Sequence, residues 1–441
     1  KFGVAQVLEL VNDCSTAKPN MKLFNLLFLP TAVQSFSSSI APDNPALSYM
    51  GRFDRSDPSK PSFQWPMTTI STQFQCKEAT RLQVQFEVSD WYTSIVAYIG
   101  GKLVAQEFFT KGTRSLDVPL PAGTSVLTIE KDTEHFSANP TMRSDYDPSS
   151  FLMMKAEYEP DYFLGMTVSG SCTLTKPRQK TRRIEAIGDS ISCGMGLHNK
   201  PKSCKDQKGW VACAKELMAN LMMPFVHDRG KLMYKVTSAH KSHASQIARL
   251  FDADLHLQCI SGIGMCKNGN DVLSSGAKNM SFWVDRTLPF KQNGAPVEWD
   301  YTQWHPDLLL INLGTNDYDS SVGPMAPLES AFHDQYLKFV MHFMKHYNAS
   351  KTKVLLICGP MTNSQCSTVK RAADDLKKSF GIAVAYVDVS LSGSPNGLNG
   401  AMDHPSEAEQ TAMVELIRPV LADLTGWTVP PTVESILDIA V

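Results

Sequence analysis

Between Tyr49 and Thr175 apolar and polar residues alternate in short runs, the period of strands with one buried face. "RLQVQFEVSDWYTSIVAYIGGKLVAQEFF", Arg81 to Phe109, carries the pattern, and Gly100-Gly101 in its middle suits a two-residue hairpin turn. "LDVPLPAGTSVLTIEK", Leu116 to Lys131, repeats it around Pro-Ala-Gly. Short strands at close spacing, with no convincing helix between them, predict a β-sandwich or jelly roll.

The rhythm changes after the basic stretch "KPRQKTRR", Lys176 to Arg183. The runs "RIEAI", "MYKVTS", "HLQCI", "DLLLINL", "KVLLIC" and "VAYVDV" read as strands buried on both faces, most of them separated by amphipathic stretches. Phe332, Tyr336, Phe339, Val340, Phe343 and Tyr347 recur at helical spacing, as do Trp210, Ala214, Leu217 and Leu221 of "GWVACAKELMANLMM". Near the end, Ser406 and Glu409 form a capping-box pattern ahead of a helix whose apolar face is Met413, Leu416, Ile417, Val420, Leu421 and Leu424. Pro419 predicts a bend in that helix. Strands alternating with helices predict a three-layer α/β domain with a parallel sheet, which binds ligands at the carboxyl ends of its strands.

Length supports this division, since 441 residues exceed one ordinary core. The expected organisation is a β domain over 45–175, a basic linker over 176–183, an α/β domain over 184–427 and a tail over 428–441. A net charge of −2 argues against nucleic acid or an anionic membrane as a main partner. "MKLFNLLFLPTAVQSFSSS", residues 21–39, has the basic start, short apolar core and polar end of a secretory signal peptide, and its core is too short to span a bilayer. Residues 1–20 are then expected to lie outside the mature protein, and the protein is expected to be secreted. Ten cysteines fit an oxidising compartment. Cys358 with Cys366, Cys259 with Cys266, and Cys204 with Cys213 lie close enough in sequence to bridge. No Cys or His cluster has zinc spacing, so no metal is expected. Asn279 and Asn348 head glycosylation sequons.

Three stretches carry candidate chemistry. "IEAIGDSISCGMG", Ile184 to Gly196, ends a buried strand just before Ser190, and a helix starting beyond it would favour negative charge there. "LLLINLGTNDYD" ends another strand near Asn316, whose amide is a neutral donor able to hold an oxyanion without protonating it. In "MDHPSEAEQTAMVELIRPVL", His404 is held just ahead of a helix, as a general base for a serine must be. Asp189 and Asp317 read as loop-holding carboxylates, His240 and His243 as polar loop histidines, and Cys193 as a small packing residue. Trp65, Trp91 and Tyr92 read as core aromatics rather than a sugar-stacking platform.

"GDSISCG", "SGIG", "LGTND" and "DHPS", in that order, resemble the sequence blocks of the SGNH, or GDSL-type, hydrolases over about Arg182 to Leu424. A β domain leading into them, with "YMGRFDRSD", "FQWPMTTISTQFQC" and "SGSCTL", resembles the second carbohydrate esterase family, a jelly roll ahead of an SGNH domain. The resemblance implies Ser190 as nucleophile and His404 as base. It implies an oxyanion hole made by the N–H groups of Ser190 and Gly262 and the amide of Asn316, with no cofactor. The family's usual acid positions hold Ala401 and Met402, and Asp403 stands immediately before the histidine, so a triad and a Ser–His dyad both stay open. The implied activity is a secreted serine esterase removing O-acetyl groups from a polysaccharide or oligosaccharide. The alternatives are a broader SGNH lipase or thioesterase for longer acyl chains, or an inactive carbohydrate-binding protein. The sequence leaves the oligomeric state open.

Overall fold

The alternating half of the chain builds two facing antiparallel sheets. A computed structural model describes residues 37–90, 92–135, 159–197, 234–269, 278–291, 295–318, 326–391 and 398–428, apart from the side chain of Met402. Strands β1 (Ser37–Ile40), β2 (Ser48–Met50), β3 (Phe53–Asp54), β4 (Ser62–Phe63), β5 (Thr69–Cys76) and β6 (Thr80–Val88) come first. Then follow β7 (Thr93–Ile99), β8 (Lys102–Phe109), β9 (Gly112–Leu120), β10 (Gly123–Lys131), β11 (Asp161–Ser169) and β12 (Cys172–Thr175). One sheet runs β3-β4-β11-β6-β9 with β1 on β11; the other runs β12-β5-β10-β7-β8 with β2 on β5. Leu82, Val84, Phe86 and Val88 of β6 point into the shared core with Leu116, Val118 and Leu120 of β9 and Phe74 of β5. The period of two puts every second side chain there.

Gly100 and Gly101 take φ of +57° and +85° between β7 and β8, the double left-handed turn that matches strand twist and that a Cβ would disfavour. At Pro121-Ala122 the chain instead crosses from one sheet to the other, since β9 pairs with β6 while β10 pairs with β5 and β7. Ser37–Ser39, placed by the sequence in the signal segment, form part of β1 and pair with β11, so the β domain begins before residue 45.

The second half holds β13 (Arg182–Gly188), β14 (Ala253–Cys259), β15 (Leu308–Asn312), β16 (Lys353–Cys358) and β17 (Val384–Asp388), all parallel, in the order β14-β13-β15-β16-β17. Its helices are α1 (His243–Leu250), α2 (Met280–Trp283), α3 (Thr315–Tyr318), α4 (Glu329–His346), α5 (Cys366–Phe380) and α6 (Glu407–Thr425). Leu309 and Ile311 of β15 pack with α4 and α5, while Leu308 and Leu310 pack with α1 and α6. Apolar on both faces, the strand is a middle layer, the three-layer arrangement the sequence predicts.

Two expected elements differ. In "MYKVTS", Tyr234–Val236 is a 3₁₀ turn rather than a strand. Its backbone serves the loop beyond Ser190: Leu197 N–H donates to Val236 O and Ser238 N–H to Gly194 O, both at 3.0 Å. Residues 191–196 are hydrogen-bonded turns, not the helix expected beyond Ser190. Positive φ at Gly194 (+69°) and Gly196 (+74°) accompanies these turns. The helix expected at "GWVACAKELMANLMM", together with Trp91, Cys204, Cys213 and nearly all of the tail, lies outside the described residues. Helix α6 runs through Pro419, and Leu416 of its expected apolar face is exposed.

The cysteines pair as Cys76–Cys172, Cys193–Cys259 and Cys358–Cys366 among the described residues. Only the last was anticipated. Cys259 bridges to Cys193 rather than to Cys266, which is a free thiol, because β13 and β14 are neighbours and place the loop after Ser190 beside the end of β14. Cys193 is thus a covalent tie and not simply a packing residue.

Both halves lie within one compact unit, Phe36–Val441. Arg52 of the β domain is fully buried, pairs with Glu185 of β13 at 2.8 Å, and donates to the carbonyls of Val284 and Arg286. Its guanidinium sits 4.9 Å from the Trp299 ring centroid, and Tyr347 donates to the other Glu185 oxygen. Trp65 is buried in the same seam, its indole N–H donating to Arg286 O at 3.0 Å. It is a core aromatic, as expected. No described helix is long and apolar enough to cross a membrane.

Candidate active site

Four loops at the carboxyl ends of the parallel strands gather the candidate residues. Ser190 follows β13, the 260–269 loop follows β14, Asn316 opens α3 after β15, and His404 lies between β17 and α6. In a 2-1-3-4-5 sheet the connections leave β13 in opposite directions, which opens a crevice there.

Ser190 Oγ lies 2.7 Å from Nε2 of His404, in range for the hydroxyl to donate to an unprotonated ring nitrogen. Both side chains are buried, at 4% and 9% exposure, so the pair is shielded from bulk water yet reachable. The contact is fixed by backbone. Gly196 O accepts from Ala401 N at 2.8 Å, and a Cβ on Gly196 would lie 2.3 Å from Ala401 O and 2.6 Å from His404 Cβ. With φ at +74° as well, only glycine lets the Ser190 loop press against the His404 loop. Farther along, Glu407 N–H donates to Leu197 O, and the Gln410 amide donates to Ile191 O at 2.9 Å. Helix α6 begins with the anticipated capping box between Ser406 and Glu409. Glu409 also accepts from Asn399, which anchors the approach to His404.

Beside β13, the 260–269 loop follows β14. Ile260 N–H donates to Gly188 O at 3.4 Å, which keeps the loop beside the end of β13. Gly262 adopts φ +79°, and its carbonyl accepts from Gly269 N–H at 2.9 Å. Asn316 donates from Nδ2 to Ile263 O at 2.8 Å, and an amide NH₂ has a second N–H that this bond does not use. Asp317 accepts three backbone N–H groups of the same loop, from Met265, Cys266 and Lys267, at 2.7–2.8 Å. Asp189 accepts from Ile191 N–H at 3.0 Å. Burial pushes the Asp189 carboxyl up to about 7 and that of Asp317 up to about 6, the three N–H donors pulling the latter back down. Both hold loops, as their sequence positions imply.

Asp403 is placed differently. Its side chain is exposed and its backbone lies at φ +57°, a region Asp tolerates better than most residues. His243 is no polar loop residue: it is the buried first residue of α1, bonded to Gln410, and burial lowers its pKa to about 4. His240 stacks on Tyr98 at 4.1 Å and pairs with Glu130 at 2.7 Å, joining the two domains. Burial pushes the Cys266 thiol up to about 12, which disfavours its thiolate. No three potential metal ligands gather among the described residues.

"EKDTEH", Glu130 to His135, at the end of β10, carries no motif that marks it for function. This charged run is buried between the domains. Asp132 accepts from Ser238 Oγ and His240 N–H, both at 2.8 Å, and Glu134 accepts from Ser261 N–H at 2.8 Å and from the Ser261 hydroxyl. A dense charge run at the end of a strand reads as a solvated turn; its one available signal was the apolar alternation leading directly into it.

The family model for GDSL-like lipase/acylhydrolase matches residues 184–417, and that for the carbohydrate esterase 2 N-terminal region matches 49–143. The cellulase/esterase CelE of Acetivibrio thermocellus is 26% identical over 87% of this chain, and the match spans only 40% of that longer protein. An acetylxylan esterase/glucomannan deacetylase of Cellvibrio japonicus is 21% identical over 90% of this chain and 94% of its own. Among solved structures, a family two carbohydrate esterase from Clostridium thermocellum, in complex with cellohexaose, superposes with a TM-score of 0.67 at 23% identity, covering 87% of this chain and all of that one. One from Cellvibrio japonicus gives 0.65 at 18%, covering 89% of this chain and 99% of the other. The shared architecture is the β-sandwich followed by the three-layer α/β domain.

Proposed function

Since the chain belongs to the GDSL-like lipase/acylhydrolase family and carries the N-terminal region of carbohydrate esterase family 2, we propose that it is a serine esterase that removes O-acetyl groups from carbohydrate. The observation that carries the reading is the 2.7 Å contact between Ser190 Oγ and His404 Nε2, with the Gly262 loop and Asn316 at the ends of the two strands that flank β13. Ser190 attacks the ester carbonyl as His404 takes the hydroxyl proton. The carbonyl oxygen becomes an oxyanion held by the N–H groups of Ser190 and Gly262 and the second N–H of Asn316. His404 returns its proton to the leaving sugar hydroxyl, leaving an acetyl-enzyme, and then activates water that releases acetate.

The acetyl and carbohydrate parts of the proposal draw on relatives named as acetylxylan esterase and as a cellulase/esterase. Acetate release from acetylated xylan, beside a series of esters of one alcohol from acetyl to octanoyl, tests both. Turnover that falls steeply beyond acetyl supports the proposal. Turnover that rises with chain length would replace it with the lipase or thioesterase reading, and a folded protein inactive on every ester would leave the binding-protein reading.

For the histidine we propose a dyad. The orienting acid of a Ser-His-Asp triad is buried against the imidazole, whereas Asp403 is exposed. Asp403→Asn is therefore expected to lower turnover by less than about tenfold, against the roughly 10⁴-fold seen when a triad acid is replaced. A loss on the latter scale would restore Asp403 as the third member.

Secretion is also proposed, supported by three disulfides among the described residues. Alkylation of the unfolded protein, followed by mass spectrometry, is expected to leave those six cysteines unlabelled until a reductant is added. Labelling without reductant would argue for a reducing compartment.

A further inference from the structure

We propose that Glu134, a residue of the β domain, is a positioning residue for the oxyanion-binding loop of the α/β domain. The inference rests on the esterase reading above and adds to it a reason for the β domain: without that domain the catalytic loop lacks its clamp.

Glu134 is 1% exposed and stands just past the end of β10. Its two carboxylate oxygens accept separately from Ser261, one from the backbone N–H at 2.8 Å and the other from the hydroxyl. Ser261 is joined to Gly262 by the peptide whose N–H would meet the developing oxyanion. Downstream that peptide is held by Gly269 N–H on Gly262 O and by Asn316 on Ile263 O. Upstream, Glu134 supplies the clamp. Gly262, at φ +79°, has no Cβ to restrict its own torsions, so its direction depends on what grips its neighbours.

The clamp is itself rigid. Within the same segment, Lys131 is buried and paired with Asp161 at 2.8 Å, Asp132 N–H donates to Ser94 O, and the Thr133 hydroxyl accepts from Ser94 N–H. Across the domain boundary, Ala239 N–H donates to Asp132 O at 2.8 Å. Glu134 therefore projects from the anchored end of a sandwich strand onto the catalytic loop. Oxyanion stabilisation depends on donors placed before the reaction begins, and an error of about 1 Å can cost roughly 10²-fold in rate.

Shortening and neutralising the side chain separate reach from charge. Glu134→Asp keeps the charge but withdraws the oxygens by one methylene, whereas Glu134→Gln keeps the reach and can still contact both Ser261 groups. Turnover of a soluble acetyl ester is expected to fall about 10²-fold in Glu134→Asp with KM little changed, and to be largely retained in Glu134→Gln. Glu130→Gln, in the same segment but bonded to His240 and not to the oxyanion loop, is expected to alter thermal stability and not kcat. Equal kcat in wild type and Glu134→Asp overturns the inference. So do losses that follow the thermal midpoint across all three variants, or a greater loss in Gln than in Asp, which would mark a role for charge. Wild-type acetate release is measured alongside and reports on the esterase reading alone; a wild type that turns over no ester overturns both.

Discussion

Ser190→Ala is expected to reduce ester turnover by roughly 10⁶-fold, the scale on which removal of a hydrolase's nucleophile acts. The substitution takes away one oxygen from a buried position and leaves the backbone N–H of residue 190 in place. Among the described residues no bond other than that to His404 is lost, so the thermal midpoint should stay close to that of the wild type. Both halves of the result matter. A loss of activity in a folded protein assigns bond formation to Ser190. Residual turnover near the wild-type level would mean that another group, or a contaminating esterase, releases the acetate. Substrate affinity gives a further reading: a carbohydrate-binding surface that is separate from the nucleophile leaves polysaccharide binding intact in this variant.

The second large effect is on stability. Arg52→Met is expected to destabilise the folded protein by about 3–5 kcal/mol, because it leaves the Glu185 carboxylate buried without its cation. Methionine fills much of the arginine stem, so cavity formation contributes little. Lost with the charge are the donations to Val284 O and Arg286 O and the contact with Trp299. The double variant Arg52→Met with Glu185→Gln should recover a good part of the loss, since the uncompensated charge is then gone as well. Thermal unfolding of wild type, both single variants and the double variant measures the coupling. An unchanged midpoint in Arg52→Met would mean the pair contributes nothing to the seam. Because Glu185 lies on β13, the strand that delivers Ser190, a loosened seam is also expected to lower turnover at temperatures where the protein is still folded.

Much of this protein could be read in one dimension. Alternation of period two located β6 to β10 of the sandwich, and double-faced apolar runs located all five strands of the parallel sheet. Period 3.6 located α4 residue by residue, and Ser406 with Glu409 located the start of α6. These are local signals: each depends on how a segment divides its own side chains between core and solvent. The same holds for Ser190, Gly262, Asn316 and His404, which sit where strands stop and turns begin. A buried strand cannot continue into polar and glycine residues without reaching the edge of the sheet.

The failures are of another kind. "MYKVTS" reads as a strand buried on both faces, but its hydrogen bonds are claimed by the loop beyond Ser190. Cys259 pairs with Cys193, far away in sequence, because strand order and not spacing puts them side by side. His243 is buried because α1 packs on α6, which nothing near it in sequence discloses.

Sequence by itself determined the five parallel strands, β6 to β10 of the sandwich, helix α4 and the start of α6, and it named the residues of the candidate chemistry. Only the tertiary structure decided how charge is buried between the two domains, through Arg52 with Glu185 and Glu134 with Ser261. The physical reason is that a buried ionic group is tolerable only when a partner satisfies it, and here the partners come from distant parts of the chain. Read along the sequence, Arg52 and Glu134 are ordinary surface charges; folding buries one against Glu185 in the domain seam and the other against Ser261 in the loop after β14.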